Sequence, residues 1–156
     1  MERRITGFHT DEAGDPVAEL DCGHGRHVRH QPPLYERLWV LDEAGRAARI
    51  GTPLDCVRCD RRELPEGFAE YKRTARFTQE SVPAGLRSRH TTKAGIWALI
   101  HVTAGRLRYR IHEPFDEEQI LEPGTPGVVL PGVPHEVELL GDVSFSVAFH
   151  RCTPGN

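Results

Sequence analysis

Residues 22–30 read Cys22-Gly-His24-Gly-Arg-His27-Val-Arg-His30, and residues 56–59 read Cys56-Val-Arg-Cys59. Three of the four cysteines of the chain therefore lie within its first 59 residues. A Cys-x-x-Cys turn can direct two thiolates at one ion, and a second Cys/His cluster can supply the other ligands of a tetrahedral site. This spacing predicts a metal-binding site, called the clamp below. Because a segment of about 60 residues buries little apolar surface, a bound metal would explain how it folds.

Six Cys and His side chains compete for four positions in this clamp. The three cysteines are the first choice, because cysteine is rare in the chain. Gly23 and Gly25 favour a turn that brings Cys22 and His24 together, so His24 is the preferred fourth ligand and His27 is its close competitor. We expect the ion to be zinc in a closed structural site, which leaves no open position for catalysis.

Two other interpretations of the Cys-x-x-Cys remain open. A thioredoxin-like redox pair requires a surrounding βαβ pattern, which is missing here. Asp55 and Asp60 flank the motif, and carboxylates raise the pKa of a neighbouring thiol instead of activating it. The remaining interpretation is a set of unrelated cysteines beside a surface histidine cluster.

Composition restricts the class of protein. The chain has 156 residues and a net charge of -3, without the basic excess of a nucleic-acid surface. No apolar run approaches the roughly 20 residues that span a bilayer, and the first residues lack the apolar core of a signal peptide. We therefore expect a cytoplasmic protein that binds neither nucleic acid nor membrane. Lys72 and Lys93 are the only lysines among 20 basic residues.

Turn signals and apolar patterns divide the chain into a module at 1–62, a linker at 63–70 and a second domain at 71–152. In the module we expect a helix over 42–49, because its first turn is acidic and its last turn is basic. The expected strands of the module are 5–9, 17–22, 26–30 and 39–41. The expected strands of the second domain are 71–77, 96–103, 106–112, 118–121, 127–130, 135–140 and 143–149.

The second domain shows the alternation of half-buried strands. Leu107, Tyr109 and Ile111 alternate with basic residues from Arg106 to His112. Many short strands separated by Pro and Gly turns, without a convincing helix, favour an antiparallel sandwich or barrel.

The segment Pro131-Gly-Val-Pro-His135 contains the most informative histidine of this domain. Period two places His135 on the face of Val137 and Leu139, where an imidazole requires a hydrogen-bond partner or a metal. A core histidine bonded to a backbone carbonyl is the simpler interpretation for a lone histidine. His90, in Ser88-Arg-His-Thr-Thr-Lys93, is a candidate second ligand.

Two resemblances cover most of the chain. The stretches 19–33 (Glu-Leu-Asp-Cys-Gly-His-Gly-Arg-His-Val-Arg-His-Gln-Pro-Pro) and 51–60 (Gly-Thr-Pro-Leu-Asp-Cys-Val-Arg-Cys-Asp) resemble a small bacterial domain family of unknown function, over about residues 2–62. That resemblance implies a separate module and no particular activity.

The stretches 71–97, 105–111 (Gly-Arg-Leu-Arg-Tyr-Arg-Ile) and 122–137 resemble the cupin family related to the N-terminal part of tellurite-resistance protein B, over about residues 68–152. This resemblance implies a double-stranded β-helix and a link to tellurite or oxyanion stress. The expected fold is therefore mainly β, with a small zinc-ribbon-like N-terminal module followed by a cupin barrel. No glycine-rich nucleotide loop follows a strand, so we expect no methyl transfer.

The cupin resemblance implies a metal centre, but its ligand set is incomplete in this sequence. Cupins normally offer His-x-His and then a Glu, whereas Thr92 stands where the second His falls and apolar residues stand where the Glu falls. His90 and His135 are the expected ligands of a second divalent metal. The candidates for a third ligand are Glu122, His101 and His112.

The sequence favours a metal-binding cupin-type protein of an oxyanion stress response, which binds a small, anionic ligand. Arg87, Arg89 and Lys93 surround His90 and are the expected anion-binding residues. One alternative is a metal-dependent enzyme that uses His90 and His135 with an open coordination position. The other is a sensor whose zinc module binds a partner protein. By analogy with other cupins, we also expect a homodimer.

Overall fold

The computed structural model describes residues 1–28, 30–31 and 35–154, with the backbone alone at 30–31 and 35–36. The chain forms two compact units, Met1–Pro65 and Glu66–Asn156. Arg29, within the predicted strand 26–30, lies outside the described residues. The predicted linker at 63–70 overlaps the start of the first strand of the second unit, which begins at Phe68.

The first unit is built on a four-stranded antiparallel sheet. The strands of the whole unit are β1 (Glu2–Thr10), β2 (Pro16–Leu20), β3 (Gly25–His27), β4 (His30–Gln31), β5 (Tyr35–Glu36) and β6 (Pro53–Asp55). The sheet order is β3-β2-β1-β6, and β4 pairs with β5 separately. The unit also contains two short helices, α1 (Glu43–Ala47) before β6 and α2 (Val57–Asp60) after it.

The predicted strand at 39–41 is wrong, because Leu38–Leu41 forms a 3-10 helix that leads directly into α1. The Asp42 carboxylate accepts a hydrogen bond from the Gly45 backbone N–H at 2.6 Å and caps α1. Trp39 packs edge-on against Phe8 at a centroid distance of 6.0 Å. Tertiary packing of the indole therefore outweighs the β propensity of this apolar run.

The second unit is an antiparallel sheet organised around two long strands. Its strands are β7 (Phe68–Arg73), β8 (Trp97–Ile111), β9 (Glu117–Leu121), β10 (Gly127–Val129) and β11 (His135–Cys152), with a 3-10 helix at Ala84–Arg87. The order is β10-β8-β11-β7, and β9 pairs with β8 as well. β10 pairs with the first half of β8 and β9 with its second half, so the two short strands occupy one edge of the same long strand.

The predicted strands 96–103 and 106–112 are one continuous strand, β8, and the predicted strands 135–140 and 143–149 are likewise joined in β11, so the predicted breaks between them are wrong. The register instead shifts between Leu140 and Ser144 of β11, where three residues stand opposite Gly105. Gly105 has a φ of +78°, and a Cβ there would lie 2.2 Å from the Asp142 carbonyl oxygen. The glycine marks a β-bulge inside a paired strand, where a turn signal in the sequence predicts a chain reversal.

The predicted alternation in β8 and β11 is confirmed. Leu107, Tyr109 and Ile111 are buried, and so are His135, Val137 and Leu139 on the facing strand. Each of these β8 residues lies directly opposite one of the β11 residues in the register. This shared face forms the core of the second unit, with Trp97 and Phe145 also fully buried.

Candidate functional sites

The Cys/His cluster of the first unit is assembled by one turn and one helix start. The Leu20 backbone N–H bonds to the His24 carbonyl at 3.0 Å, and Gly23 takes a φ of +94° between them. This tight turn between β2 and β3 places Cys22 and His24 side by side. Cys56 is the residue before the first turn of α2, and Cys59 lies one turn further on.

Four ligand atoms meet in this cluster, and all of them lie within 4.8 Å of one another. The His24 Nδ1 atom lies 3.4 Å from the Cys22 and Cys56 sulfurs and 3.8 Å from the Cys59 sulfur. The Cys22 and Cys56 sulfurs are 3.9 Å apart. All four residues are at most 3% exposed. The preferred ligand set from the sequence is thus brought together, and it can hold a metal ion.

The pKa shifts of the cysteines in the cluster also favour metal binding. Hydrogen bonding with the Cys56 and Cys59 thiols, together with burial, raises the pKa of Cys22 far above its usual range. The hydrogen bonds that Cys22 and Cys59 donate lower the pKa of Cys56. Three thiols in one dry pocket therefore do not ionise independently. A divalent cation would allow all three thiols to ionise, because coordination to a metal deprotonates a thiol outright.

Arg3 is a component of the site that the sequence analysis missed. Its Nε atom donates to the Cys59 sulfur at 3.4 Å, and its side chain is 6% exposed. Three thiolates around a divalent ion carry a net charge of -1, which the guanidinium offsets. The sequence contains a signal for this role: Arg3 shares the buried face of β1 with Ile5, where alternation predicts an apolar residue.

The competing histidines of the front motif lie elsewhere. His27 is exposed, and its Nε2 atom is 3.1 Å from the Asp11 carboxylate. The side chain of His30 lies outside the described residues. Asp11, Asp15 and His27 form a second group of close ligand atoms, where the turn between β1 and β2 meets the end of β3. Asp11 also accepts two backbone N–H groups of its own turn, which accounts for its position without an ion.

The second unit places His90 against His135. Their backbones exchange two hydrogen bonds of 3.0 and 2.9 Å in an isolated bridge, and their ring centroids are 4.2 Å apart. The Nδ1 atom of His90 lies 2.8 Å from the Ser88 carbonyl, and that of His135 lies 3.0 Å from the Val133 carbonyl. Since a carbonyl only accepts, each Nδ1 carries a proton, so Nε2 is the atom that bears the lone pair whenever the imidazole is neutral.

Burial determines the charge of His135. Its pKa is lowered to about 4, first because burial penalises the imidazolium and further because His90 and His112 lie close by. His135 is therefore neutral at pH 7, the form in which an imidazole binds a metal or accepts a hydrogen bond.

No third metal ligand joins His90 and His135 among the described residues, since no group of three Cys, His, Asp or Glu ligand atoms forms there. His112 pairs with Glu136 at 3.3 Å. Glu122 lies at the surface, in the turn before β10. His101 lies opposite Ser146 on β11, and its pKa is lowered by burial and by Arg73. The three candidates for the third ligand are not assembled with the histidine pair.

A cavity of about 350 Å³ opens beside the histidine pair. Both imidazoles line it, and most of the remaining wall is apolar. The apolar wall includes Ile96, Ala98, Ile100, Val129, Phe145 and Val147. The volume of the cavity falls at the lower end of the range found for small-molecule binding sites.

The three predicted anion-binding residues do not share this cavity. Lys93 lines it, whereas Arg89 pairs with Glu113 at 2.8 Å and Arg87 donates to the Gln79 carbonyl at 3.0 Å. Lys72, at the end of β7, takes the place predicted for the arginines. Both lysines of the chain therefore line one cavity, although 21 residues separate them in the sequence.

Fold and sites together define a mainly β protein of two units, one with a buried cluster of three cysteines and a histidine and one with a ligand-sized cavity in an antiparallel sheet. Comparison with known families gives the same division. Residues 6–63 match the family "Protein of unknown function (DUF3565)", and residues 72–147 match the TehB-like domain. No curated protein matches the sequence.

Several solved structures resemble the chain, among them the two that follow. A protein from E. coli (strain K12) is 22% identical with a TM-score of 0.55, and the match covers 59% of this chain and 98% of that one. TehB from Haemophilus influenzae is 25% identical with a TM-score of 0.51, over 56% of this chain and 32% of TehB. The chain thus spans about a third of the length of TehB. Within the described residues, no helix is long and apolar enough to cross a membrane.

Proposed function

We propose that the protein is a metal-binding, cupin-type protein that binds a small anionic ligand and serves a response to oxyanion stress of the tellurite kind. In this proposal the first unit holds a structural zinc, and the second unit is a double-stranded β-helix that carries the ligand site. The match of residues 72–147 to the TehB-like domain supports the proposed role in oxyanion stress. The cavity beside His90 and His135 carries the proposal for binding.

The dimensions of the cysteine cluster support zinc. Bond lengths of about 2.3 Å to sulfur and about 2.0 Å to nitrogen in a tetrahedron give S···S edges of about 3.8 Å and S···N edges of about 3.5 Å. Four of the six distances between ligand atoms in the cluster range from 3.4 to 3.9 Å, and all six are within 4.8 Å. Cys22, His24, Cys56 and Cys59 would fill all four positions, so the ion would stabilise the module and take no part in catalysis.

The two long strands support the cupin-type fold. β8 and β11 pair antiparallel along nearly their whole lengths, and the bulge at Gly105 lets both bend without losing their pairing. Short strands complete the edges of this strand pair. Buried residues of both long strands line the cavity.

The charges around the cavity support an anionic ligand. Lys72 and Lys93 line it, and the cavity wall contains no Asp or Glu among the residues that the structure describes. Neither ammonium group forms an ion pair or hydrogen bond within the described part of the chain. Two cations without a counter-ion at the mouth of a concave site attract an anion.

The arrangement of the two imidazoles also favours a second candidate, a metal-dependent enzyme. Each Nδ1 is anchored on a backbone carbonyl, which leaves Nε2 as the atom that can bind a metal, as in other histidine ligands. A divalent ion at this pair would need ligands from solvent or substrate. The binding function remains the stronger proposal because the described residues supply two protein ligands and no third.

Metal content and anion binding test the two parts separately. The full chain, purified without added metal or chelator, is expected to contain one zinc that is lost in Cys56→Ser and kept in His135→Gln. Titration with tellurite or phosphate is expected to show binding that weakens at least tenfold in Lys72→Gln and in Lys93→Gln. Arg106→Gln, which removes an exposed cation of the same unit outside the cavity, is the matched control and is expected to bind normally.

Two outcomes would overturn these assignments. A second metal that disappears in His135→Gln would move the function to the metal-dependent enzyme. Anion binding that is insensitive to both lysine substitutions, or as sensitive to Arg106→Gln as to them, would remove the cavity as the binding site.

A further inference from the structure

We infer that the ligand of this cavity is an organic anion with a compact apolar body, such as a medium-chain or aromatic carboxylate, and that an inorganic oxyanion alone does not fill the site. This inference rests on the proposed anion-binding function and names the chemical class of the ligand. It follows from the separation of charge and apolar surface within one cavity.

The apolar part of the cavity is built from the two long strands. Ala98 and Ile100 of β8 lie directly opposite Phe149 and Val147 of β11 in the register, and all four line the cavity. Val129 of β10 pairs with Ala98 and extends the same wall. Because this wall belongs to the paired core of the sheet, it is held in shape by backbone hydrogen bonds before any ligand arrives.

The charged part lies at the exposed rim. Lys72 extends from β7, which pairs with the end of β11, and Lys93 precedes β8. Both side chains are exposed, while the apolar residues Ala98, Ile100 and Phe145 are at most 2% exposed. The cavity therefore has cations at its mouth and, apart from the two imidazoles, mainly hydrocarbon inside.

This arrangement discriminates between two kinds of anion. A bare oxyanion carries its charge on every face, and moving it into a hydrocarbon wall removes hydration that the wall does not replace. It would stay with the lysines at the mouth and leave about 350 Å³ of cavity to water. An amphipathic anion keeps its head group with the lysines and buries its body, which gains free energy in proportion to the apolar area removed from water.

Three arginines of the second unit that lie outside the cavity have a carboxylate partner, unlike the two lysines that line it. Arg73, Arg89 and Arg108 each pair with a carboxylate of the unit, at 2.6, 2.8 and 2.7 Å. Lys72 and Lys93 have no such partner among the described residues, and no described carboxylate lines the cavity. A ligand carboxylate would supply the missing counter-charge, whereas a cationic ligand of the same shape would be repelled.

A homologous series of carboxylates tests the inference on the full chain. Titration calorimetry with acetate, butyrate, hexanoate and octanoate is expected to show affinity rising about fourfold per methylene until the cavity is filled. The heat-capacity change of binding should become more negative along the series. Octylamine should not bind, and octanol should bind at least tenfold more weakly than octanoate.

Variants separate the contributions of head and body. Lys72→Gln and Lys93→Gln should each weaken octanoate at least fivefold and leave octanol unchanged, and Arg106→Gln should change neither. Ala98→Val places extra carbon in the wall and should weaken octanoate while leaving acetate unaffected. Tyrosine fluorescence and far-UV dichroism of each variant must match the wild type, so that a folding defect is not read as a loss of binding.

The outcomes distinguish this inference from the proposed function beneath it. Equal affinity for acetate and octanoate, with tellurite or phosphate bound through the lysines, would overturn the inference and keep the anion-binding function. Octanoate binding that does not respond to either lysine substitution would also overturn it. If no anion of any size binds, the proposed function fails as well.

Discussion

The Nε atom of Arg3 lies 3.4 Å from the sulfur of Cys59, and both side chains are buried in the first unit. A buried guanidinium needs a negative partner, and the thiolate of a metal site provides one. Arg3 also lies 3.9 Å from the Asp21 carboxylate, so it connects β1 to the turn that carries Cys22. The relationship makes the first strand part of the candidate metal site, although it contributes none of the four possible ligands.

Substitution of Arg3 should therefore weaken metal binding without removing a ligand. We expect Arg3→Gln to lower the affinity of the first unit for its metal by about 10- to 100-fold, the usual effect of losing an outer-shell partner. Competition with a chromophoric chelator measures this change. Arg4→Gln is the matched control, because it removes the same charge from an exposed position of the same strand. Equal losses in the two variants would mean that net charge, and not the contact with Cys59, controls affinity.

Removal of the metal should unfold the first unit and leave the second unit folded. The binding free energy of a structural zinc is about 10–16 kcal/mol, which exceeds the stability expected of a module of this size. After addition of a strong chelator, amide protection is expected to disappear in β1 and β2 and to persist in β8 and β11. Hydrogen exchange followed by mass spectrometry of peptides resolves the two units.

Single cysteine substitutions provide the control for that experiment. Cys56→Ser should reproduce the effect of the chelator, whereas Cys152→Ser should not, because Cys152 is exposed and lies outside the cluster. Protection of β1 that survives both chelator and Cys56→Ser would show that the module folds without a metal.

The ligands of the first unit could be predicted because their signal is local in sequence. Cys22 and His24 are two residues apart, Cys56 and Cys59 are three apart, and cysteine is too rare here for the grouping to be accidental. Arg3 was missed because its importance depends on β1 passing the cluster, and this is a contact between residues 56 positions apart. The choice of His24 over His27 as the fourth ligand depended on a turn at Gly23. The glycines at 23 and 25 were the only sequence signal for that turn.

The second unit shows where sequence patterns are insufficient. Alternation correctly identified the buried face of β8 and β11, since period two is a property of any half-buried strand. The lining of the cavity was only partly anticipated, because Lys72 reaches it through the pairing of β7 with β11, in which its partner Phe149 is 77 positions away in sequence. Arg89 was assigned to the site by its proximity to His90, and it pairs with Glu113 instead.

Gly105 and Gly141 allow the bulge between β8 and β11 to be tested with a matched pair of variants. Both have positive φ angles, +78° and +88°, but a Cβ at Gly105 meets the Asp142 carbonyl at 2.2 Å whereas one at Gly141 meets nothing within 4 Å. Gly141→Ala should cost about 1–2 kcal/mol of unfolding free energy, from backbone strain alone. Gly105→Ala should cost about 1–3 kcal/mol more, because the steric conflict adds to the same strain. Urea unfolding measures both, and equal costs would show that the bulge relaxes around the added methyl group.

The neutral imidazole of His135 should make the second unit sensitive to acid. Its pKa is lowered to about 4 in the folded state, from an ordinary value of about 6.5, chiefly because burial penalises the charged form. The unfolded chain therefore binds a proton that the folded chain rejects between these two values. The stabilisation is fully present above pH 6.5 and is lost as the pH falls toward 4, by an amount on the order of 3 kcal/mol.

Urea unfolding between pH 4 and 7.5, with a chelator present and Trp97 as the probe, measures this dependence. A Trp39→Phe background leaves Trp97, which is buried in the second unit, as the single tryptophan. His135→Gln should flatten the slope of unfolding free energy between pH 4 and 6.5, even if it lowers stability overall. His150→Gln, on the same strand and outside the cavity, should leave the slope unchanged. If the slope survives in His135→Gln, another group of the second unit carries the acid sensitivity, and His135 accepts its proton without cost.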